Sequence, residues 1–290
     1  MPSVTRGFRI PLPRKEYGEM AGGTGSEGSS GVNSSTASIY ATGGVEEELG
    51  GKKEVEGVDY ITITLHEPSM TADNLGLKTW ASSFLLAKRL GSLGLDLPSE
   101  CRALELGAGT GLVGIAAAAV LGTNITLTDL PEIIPNLSHN VTLNSSNPYR
   151  PPAMGSMSVQ ILDWANPLIP ADEGEKYPLV LAADPLYSLA HPGLLVGVLD
   201  KWVRRSREAR VVVEFPLRER YEDVREDFWR RMKEEGFVGV EEGVEGGWDD
   251  WGGGVEAEAE EEEEEEGRGK VRCWWGVYRW GKEYLVEEQK

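Results

Sequence analysis

The run Leu104-Glu105-Leu106-Gly107-Ala108-Gly109-Thr110-Gly111 constrains the fold of this 290-residue chain more than any other. It continues a short apolar stretch, 103–106, that reads as a buried strand, and it opens an Ala-rich helix over 112–121. Alternate glycines let the backbone turn sharply through positive φ and let a ligand lie against it. The helix N-terminus beyond them offers unpaired N–H groups. Spacing alone leaves the ligand open. Gly107, Gly109 and Gly111 are followed by Gly114, so a dinucleotide fingerprint is not excluded, whereas the absence of Gly-Lys-Ser/Thr excludes a triphosphate loop.

The same alternation continues on both sides. Residues 59–65 alternate β-branched and polar side chains, as a strand does, and 66–73 reads as a loop. Residues 75–90 carry Leu77, Trp80, Phe84 and Ala87 at helical spacing, with Asp73 or Asn74 available as a cap. After the turn come strands at 124–128, 158–162, 179–183 and 211–215, with helices at 131–144, 194–204 and 220–235. Such alternation predicts an α/β fold with a parallel sheet covered on both faces. Two late strands, 237–244 and 271–280, read as a hairpin at the sheet edge. Residues 18–51 are rich in Gly, Ser, Thr and Glu and have little to bury. The domain reading is a mostly disordered segment 1–56 and one domain 57–290, with a mobile acidic insertion at about 246–269.

Charge narrows the partners. The net charge is −19, but fourteen acids and no bases lie in 241–266; the rest balances 34 acids against 29 bases. No basic face for nucleic acid emerges. The longest near-apolar run, 111–122, is short of the roughly 20 residues a bilayer helix needs. The first residues lack the apolar core of a signal peptide. Cys101 and Cys273 make neither a disulfide framework nor a metal-ligand spacing, and His66, His139 and His191 are scattered. The expectation is a soluble, reduced, cytoplasmic monomer, with the nucleus also open, without metal or membrane contact.

Acids recur at strand ends. Glu105 is poorly placed for a pyrophosphate and well placed for the ammonium of a methionine moiety. Asp129, followed by Leu130, ends the second central strand, where an acid accepts from ribose hydroxyls; it is also a possible N-cap for the next helix. Asp163 follows the third strand and can accept from an adenine amino group, with Trp164 packing near the base. These, with Gly107, Ala108, Gly109 and Gly111, point to S-adenosylmethionine. After the fourth strand, Ala183-Asp184-Pro185-Leu186-Tyr187 sits at the carboxyl edge. There Asp184 can orient an amine and Tyr187 can present an aromatic face to a cation. Glu214 ends the fifth strand, facing the pocket or pairing with Arg218. Trp248 and Trp251, beside acids, are candidate partner contacts.

Together these residues resemble the seven-β-strand, class I methyltransferases, and within them the eukaryotic protein-lysine group, most of all the fungal elongation factor lysine methyltransferases. Gly76-Leu77-Lys78-Thr79-Trp80 is similar to that group's Gly-x-x-x-Trp segment, Thr128-Asp129-Leu130-Pro131 to its acidic loop and Asp184-Pro185-Leu186-Tyr187 to its Asp-x-x-Tyr pattern. The resemblance covers about 57–240 and the tail strands. It implies strand order 3-2-1-4-5-7-6 with the last strand antiparallel, and it implies that Trp80 and Ala183 line the cofactor. It also implies that Asp184 and Tyr187 hold a protein lysine, such as one of a translation elongation factor. An RNA or small-molecule amine methyltransferase, and a non-catalytic module on the same fold, stay open, since fold does not fix substrate.

Overall fold

The computed structural model describes residues 3–13, 59–69, 75–97, 101–248 and 270–286. The body is an α/β layer structure. Its strands are β1 (Val4–Pro11), β2 (Tyr60–Glu67), β3 (Arg102–Leu106), β4 (Asn124–Asp129), β5 (Met157–Ile161), β6 (Leu179–Ala183), β7 (Arg210–Pro216), β8 (Phe237–Trp248) and β9 (Lys270–Trp280). Its helices are α1 (Ala81–Arg89), α2 (Leu112–Val120), α3 (Ile134–Ser145), α4 (His191–Trp202) and α5 (Glu222–Glu234).

Seven strands form the main sheet in the order β5-β4-β3-β6-β7-β9-β8. The ladders from β5 to β7 are all parallel, and β9 runs antiparallel to both β7 and β8. Counted from β3, this is the 3-2-1-4-5-7-6 order with the final strand reversed. The central strands show why both faces must be covered. Leu179 and Leu181 of β6 enter one core with α1, α2 and α3, while Val180 and Ala182 enter a second core with α4 and α5. A strand buried on both faces carries a continuous apolar run, as β6 does.

Local chemistry sets the helices. All nine residues of α2 are buried, and Gly114 with four successive alanines lets the helix lie close to the sheet. α5 starts with Glu222 and Asp223 and ends with Arg231 and Lys233, matching the helix dipole at both ends.

The structure departs from the sequence reading in several places. Order does not begin at residue 59: β1 lies at the N-terminus and pairs antiparallel with β2, Val4 against Glu67 through Pro11 against Tyr60. Residues 14–56 of the proposed disordered segment, the acidic stretch 249–269 and Trp251 lie outside the described residues. The helix placed over 75–90 is broken. Leu75–Leu77 forms one 3₁₀ turn and α1 begins only at Ala81, so Trp80 is the residue before the helix rather than part of an apolar helical face. α4 begins at His191, three residues early, with Pro192 in its first turn, and α3 begins at Ile134, three residues late. β8 runs on to Trp248, paired with Lys270, so residues 246–248 of the expected insertion are strand.

Candidate active site

The glycine turn is built as its spacing requires. Gly107, Gly109 and Gly111 have φ of 66°, 55° and 89°. The Ala108 N–H donates to the Thr128 carbonyl (2.9 Å) and the Gly111 N–H to the Ala108 carbonyl (2.7 Å). Asp129 ties this turn to the end of β4. One carboxylate oxygen accepts from the Gly109 N–H and the other from the Leu130 N–H, both at 2.7 Å. It is not a helix cap, since α3 starts at Ile134 after Ile133. Each oxygen keeps a lone pair for a further donor. Leu130 is 39 % exposed beside it.

Glu105 behaves differently from the expectation. It is buried beneath the turn, and one oxygen accepts from the Gly114 N–H in the first turn of α2 (2.9 Å). A carboxylate there meets the positive end of the helix. Burial nevertheless pushes its carboxyl well above the ordinary range, and neighbouring Asp129 adds to that. Asp129 is itself raised by burial, against the two N–H groups that hold it down.

Aromatic and cationic groups close the edge. A Cβ on Gly107 would sit 3.1 Å from the Trp164 ring, so the indole lies directly on the turn. Asp163 closes its own loop, accepting from the Ala165 N–H at 2.8 Å. Both Lys78 Nζ and the Arg218 guanidinium rest on the Trp80 ring, 4.8 and 5.4 Å from its centroid. Arg218 also faces Asp184 at 3.9 Å. Arg218 therefore pairs with Asp184 and not with Glu214, because β7 ends at Pro216 and the chain turns across the edge. Glu214 is fully buried and does not reach this cluster with its side chain; its carbonyl accepts from the Asp184 N–H (2.8 Å).

Asp184 follows Ala183 at the end of β6 with φ of 53°, the only non-glycine residue at positive φ among those described. Tyr187 is half exposed; burial first, then Asp129 and Asp184, push its phenol up. Its ring stands edge-on to His191 (4.1 Å between centroids, 89°), and its N–H donates to His191 Nδ1 (3.3 Å). His191 also meets the Trp164 ring edge at 6.1 Å. Burial lowers the His191 pKa, which favours the neutral ring. Sequence reasoning had set His191 aside for lack of metal spacing; its four-residue offset from Tyr187 was the available signal. No group of acids, His and Cys fit to hold a metal occurs among the described residues. Nor is any helix among them long and apolar enough to cross a membrane.

These residues fit S-adenosylmethionine. Its adenosine needs hydroxyl and amino acceptors against a side-chain-free backbone; Asp129 and the three-glycine cradle would supply the first of these, and Asp163 is available for the second. Its positive charge would favour the ionised form of Asp129 and Glu105, offsetting the burial that raises both.

A family model described as "Lysine methyltransferase" matches residues 59–235. The chain belongs to the lysine methyltransferase family. Its relatives include "Protein-lysine N-methyltransferase EFM2" of Saccharomyces cerevisiae, 38 % identical over 66 % of this chain and 49 % of that protein. "Protein-lysine N-methyltransferase rrg1" of Schizosaccharomyces pombe is 36 % identical over 69 % of this chain and 66 % of that protein. "EEF1A lysine methyltransferase 3" of Mus musculus is 34 % identical over 46 % and 56 %. The chain spans about half to two thirds of the length of these relatives. Every residue of the site from Trp80 to Arg218 lies inside the matched lysine methyltransferase region, whereas β1 and β9 lie outside it.

Proposed function

We propose that this chain is an S-adenosylmethionine-dependent N-methyltransferase acting on a lysine of a protein. The observation that carries the reading is the meeting of two halves at one sheet edge. The glycine cradle with Asp129, Trp164 and Trp80 is one half; Asp184, Tyr187 and Arg218, which rests on the Trp80 ring, are the other. The family and the names of its relatives favour lysine as the amine. The relative named for EEF1A makes a translation elongation factor the first substrate to test, and a cytoplasmic location is proposed with it.

When bound, S-adenosylmethionine would supply a sulfonium methyl: a neutral amine would gain an N–C bond as the S–C bond breaks, leaving a neutral thioether and a methylammonium. The chain's residues do the rest by positioning and electrostatics. Asp129 and Asp163 would accept from the adenosine, and Trp164 would wall the base. Asp184 accepts an N–H of the lysine and orients its lone pair. Arg218, already facing Asp184, keeps that carboxylate from over-stabilising the unreactive ammonium. Tyr187 would flank the alkyl stem with an aromatic face, and Trp80 would line the cofactor beside it.

Calorimetry with S-adenosylmethionine tests the cofactor. Incubation with methyl-labelled cofactor, first with purified EEF1A and then with whole lysate, tests the substrate. We expect label on a lysine, lost on hydrolysis only as methyl-lysine. Label in RNA would overturn the substrate assignment, and absence of cofactor binding would leave a scaffold.

A further inference from the structure

A buried polar chain runs behind the cradle, and nothing in the proposed reaction uses it. α3 carries Asn136, Asn140 and Asn144 at four-residue spacing. Four helical residues rise about 6 Å and two strand residues about 6.7 Å, so side chains one turn apart can reach alternate backbone groups of a strand alongside. They reach β2. Asn144 accepts from the Thr64 N–H (3.0 Å) and donates to the Thr64 carbonyl (2.8 Å). Asn140 accepts from the His66 N–H (2.8 Å) and donates to the His66 carbonyl (3.1 Å). Asn136 donates to the same carbonyl (3.1 Å). The helix stands in for a neighbouring strand.

Asn140 does more than its two companions. It is fully buried, and its amide also donates to the Thr110 carbonyl inside the glycine turn (3.0 Å). The Thr110 hydroxyl lies 2.8 Å from that of Thr79. The Thr79 N–H donates to Glu67 at the end of β2 (2.9 Å), and the other Glu67 oxygen meets Arg6 of β1 at 3.2 Å. One network thus joins β1, β2, α3, the turn and the residue before Trp80.

We propose that Asn140, Thr79 and Glu67 are positioning residues for S-adenosylmethionine, and that the β1–β2 pair is part of the cofactor site. The proposal rests on the cofactor assignment above. Glycine does not hold its own φ; beyond the internal bond from Gly111 to Ala108, a turn with Gly109 and Gly111 keeps its shape through bonds from outside. Asp129 supplies one at the Gly109 N–H, and Asn140 supplies the opposing one at Thr110. The Gly76 carbonyl would lie 2.8 Å from a Cβ on Gly109, so the segment carrying Trp80 lies directly on the turn. Thr79, fixed by Glu67 and Thr110, sets where that segment lies. A site ordered in advance gives up less freedom on binding.

The test is calorimetry of S-adenosylmethionine binding to the full chain, using Thr79→Val, Thr110→Val, the double variant and Thr79→Ser. Each valine is expected to weaken binding about fivefold, the worth of one neutral hydrogen bond. The double variant is expected to match the weaker single, because both break one contact, and Thr79→Ser to bind as the wild type. Melting of the cofactor-free proteins should stay within about 3 °C, which a purely structural bond would not predict alongside an affinity loss. Unchanged affinity, or single effects that multiply in the double variant, overturns the positioning role. A wild-type chain that does not bind overturns the cofactor assignment instead.

Discussion

Asp184 is the residue on which chemistry and backbone meet. Its φ of 53° places an L-residue in the left-handed region, which Asp and Asn tolerate better than most because a short polar side chain bonds locally. Ala, the usual replacement, removes the carboxylate and adds strain, so its effect mixes two causes. Asn separates them. Asp184→Asn is expected to cut methyl transfer at least about a hundredfold while melting near the wild type. Asp184→Ala should lose the same activity and a further 1 kcal/mol or so of stability, and Asp184→Gly should regain that stability without activity. Thermal melts beside the labelled-cofactor assay check the order. Transfer surviving in the Asn variant would remove Asp184 from the reaction. His191 offers a second residue-scale outcome. Burial lowers its pKa, so the unfolded chain binds that proton more readily than the folded one. The stability it contributes is present above the ordinary histidine pKa and falls as pH drops through the window below it. His191→Phe keeps a ring against Tyr187 and should therefore lose less stability than the wild type between about pH 7 and 5.

At the scale of elements, α2 shows how tightly the cradle is made. Replacing a helical glycine by alanine ordinarily stabilises by about 1 kcal/mol. Gly114 should reverse that sign. A Cβ there would lie 2.5 Å from the Glu105 carboxylate and 2.6 Å from Leu127, neither of which can retreat within the sheet. Gly114→Ala is expected to cost about 2 kcal/mol and to weaken cofactor binding, read by denaturant melts and calorimetry. A neutral or stabilising effect would mean the helix can lift away. Elements like α2 and β6 were legible in the sequence because their apolar runs are continuous and bounded by turns. β1 was not. Its buried Phe8 and Ile10 make too short an alternation to stand out, and its partner β2 lies some fifty residues on, beyond a Gly- and Ser-rich stretch. The start of α1 was misplaced because Thr79 is drawn away by Glu67 and Thr110, tertiary bonds that outweigh helical spacing. Site acids at strand ends could be found from position alone. Arg218 is legible only as a partner for Glu214, and His191 only by its four-residue offset from Tyr187, since each reaches the site by a chain that folds back over the edge.

Across the whole molecule, one buried group joins the parallel half of the sheet to its antiparallel end. Glu214 of β7 is fully buried under α1, and burial pushes its carboxyl up to about 9, with Glu245 of β8 adding to the rise and Arg89 of α1 offsetting it. Arg89 itself bonds Glu245 and lies 4.1 Å over the Trp275 ring of β9. At neutral pH Glu214 is therefore protonated in the folded chain, where an unfolded chain would ionise it. Folding takes up a proton, so stability is fully present below the ordinary glutamate pKa and is lost as pH rises toward 9. Glu214→Gln keeps the shape and removes the titration. Melted at pH 5.5 and at pH 8.5, the wild type should fall further than the variant by at least about 1 kcal/mol, or roughly 2–4 °C. The other raised acids, Glu105 and Asp129 among them, titrate in both proteins and cancel in the difference. If wild type and variant lose the same amount, Glu214 is ionised in the fold. Arg89 would then be its counter-ion, and Arg89→Met, rather than Glu214→Gln, would loosen α1 from the sheet end.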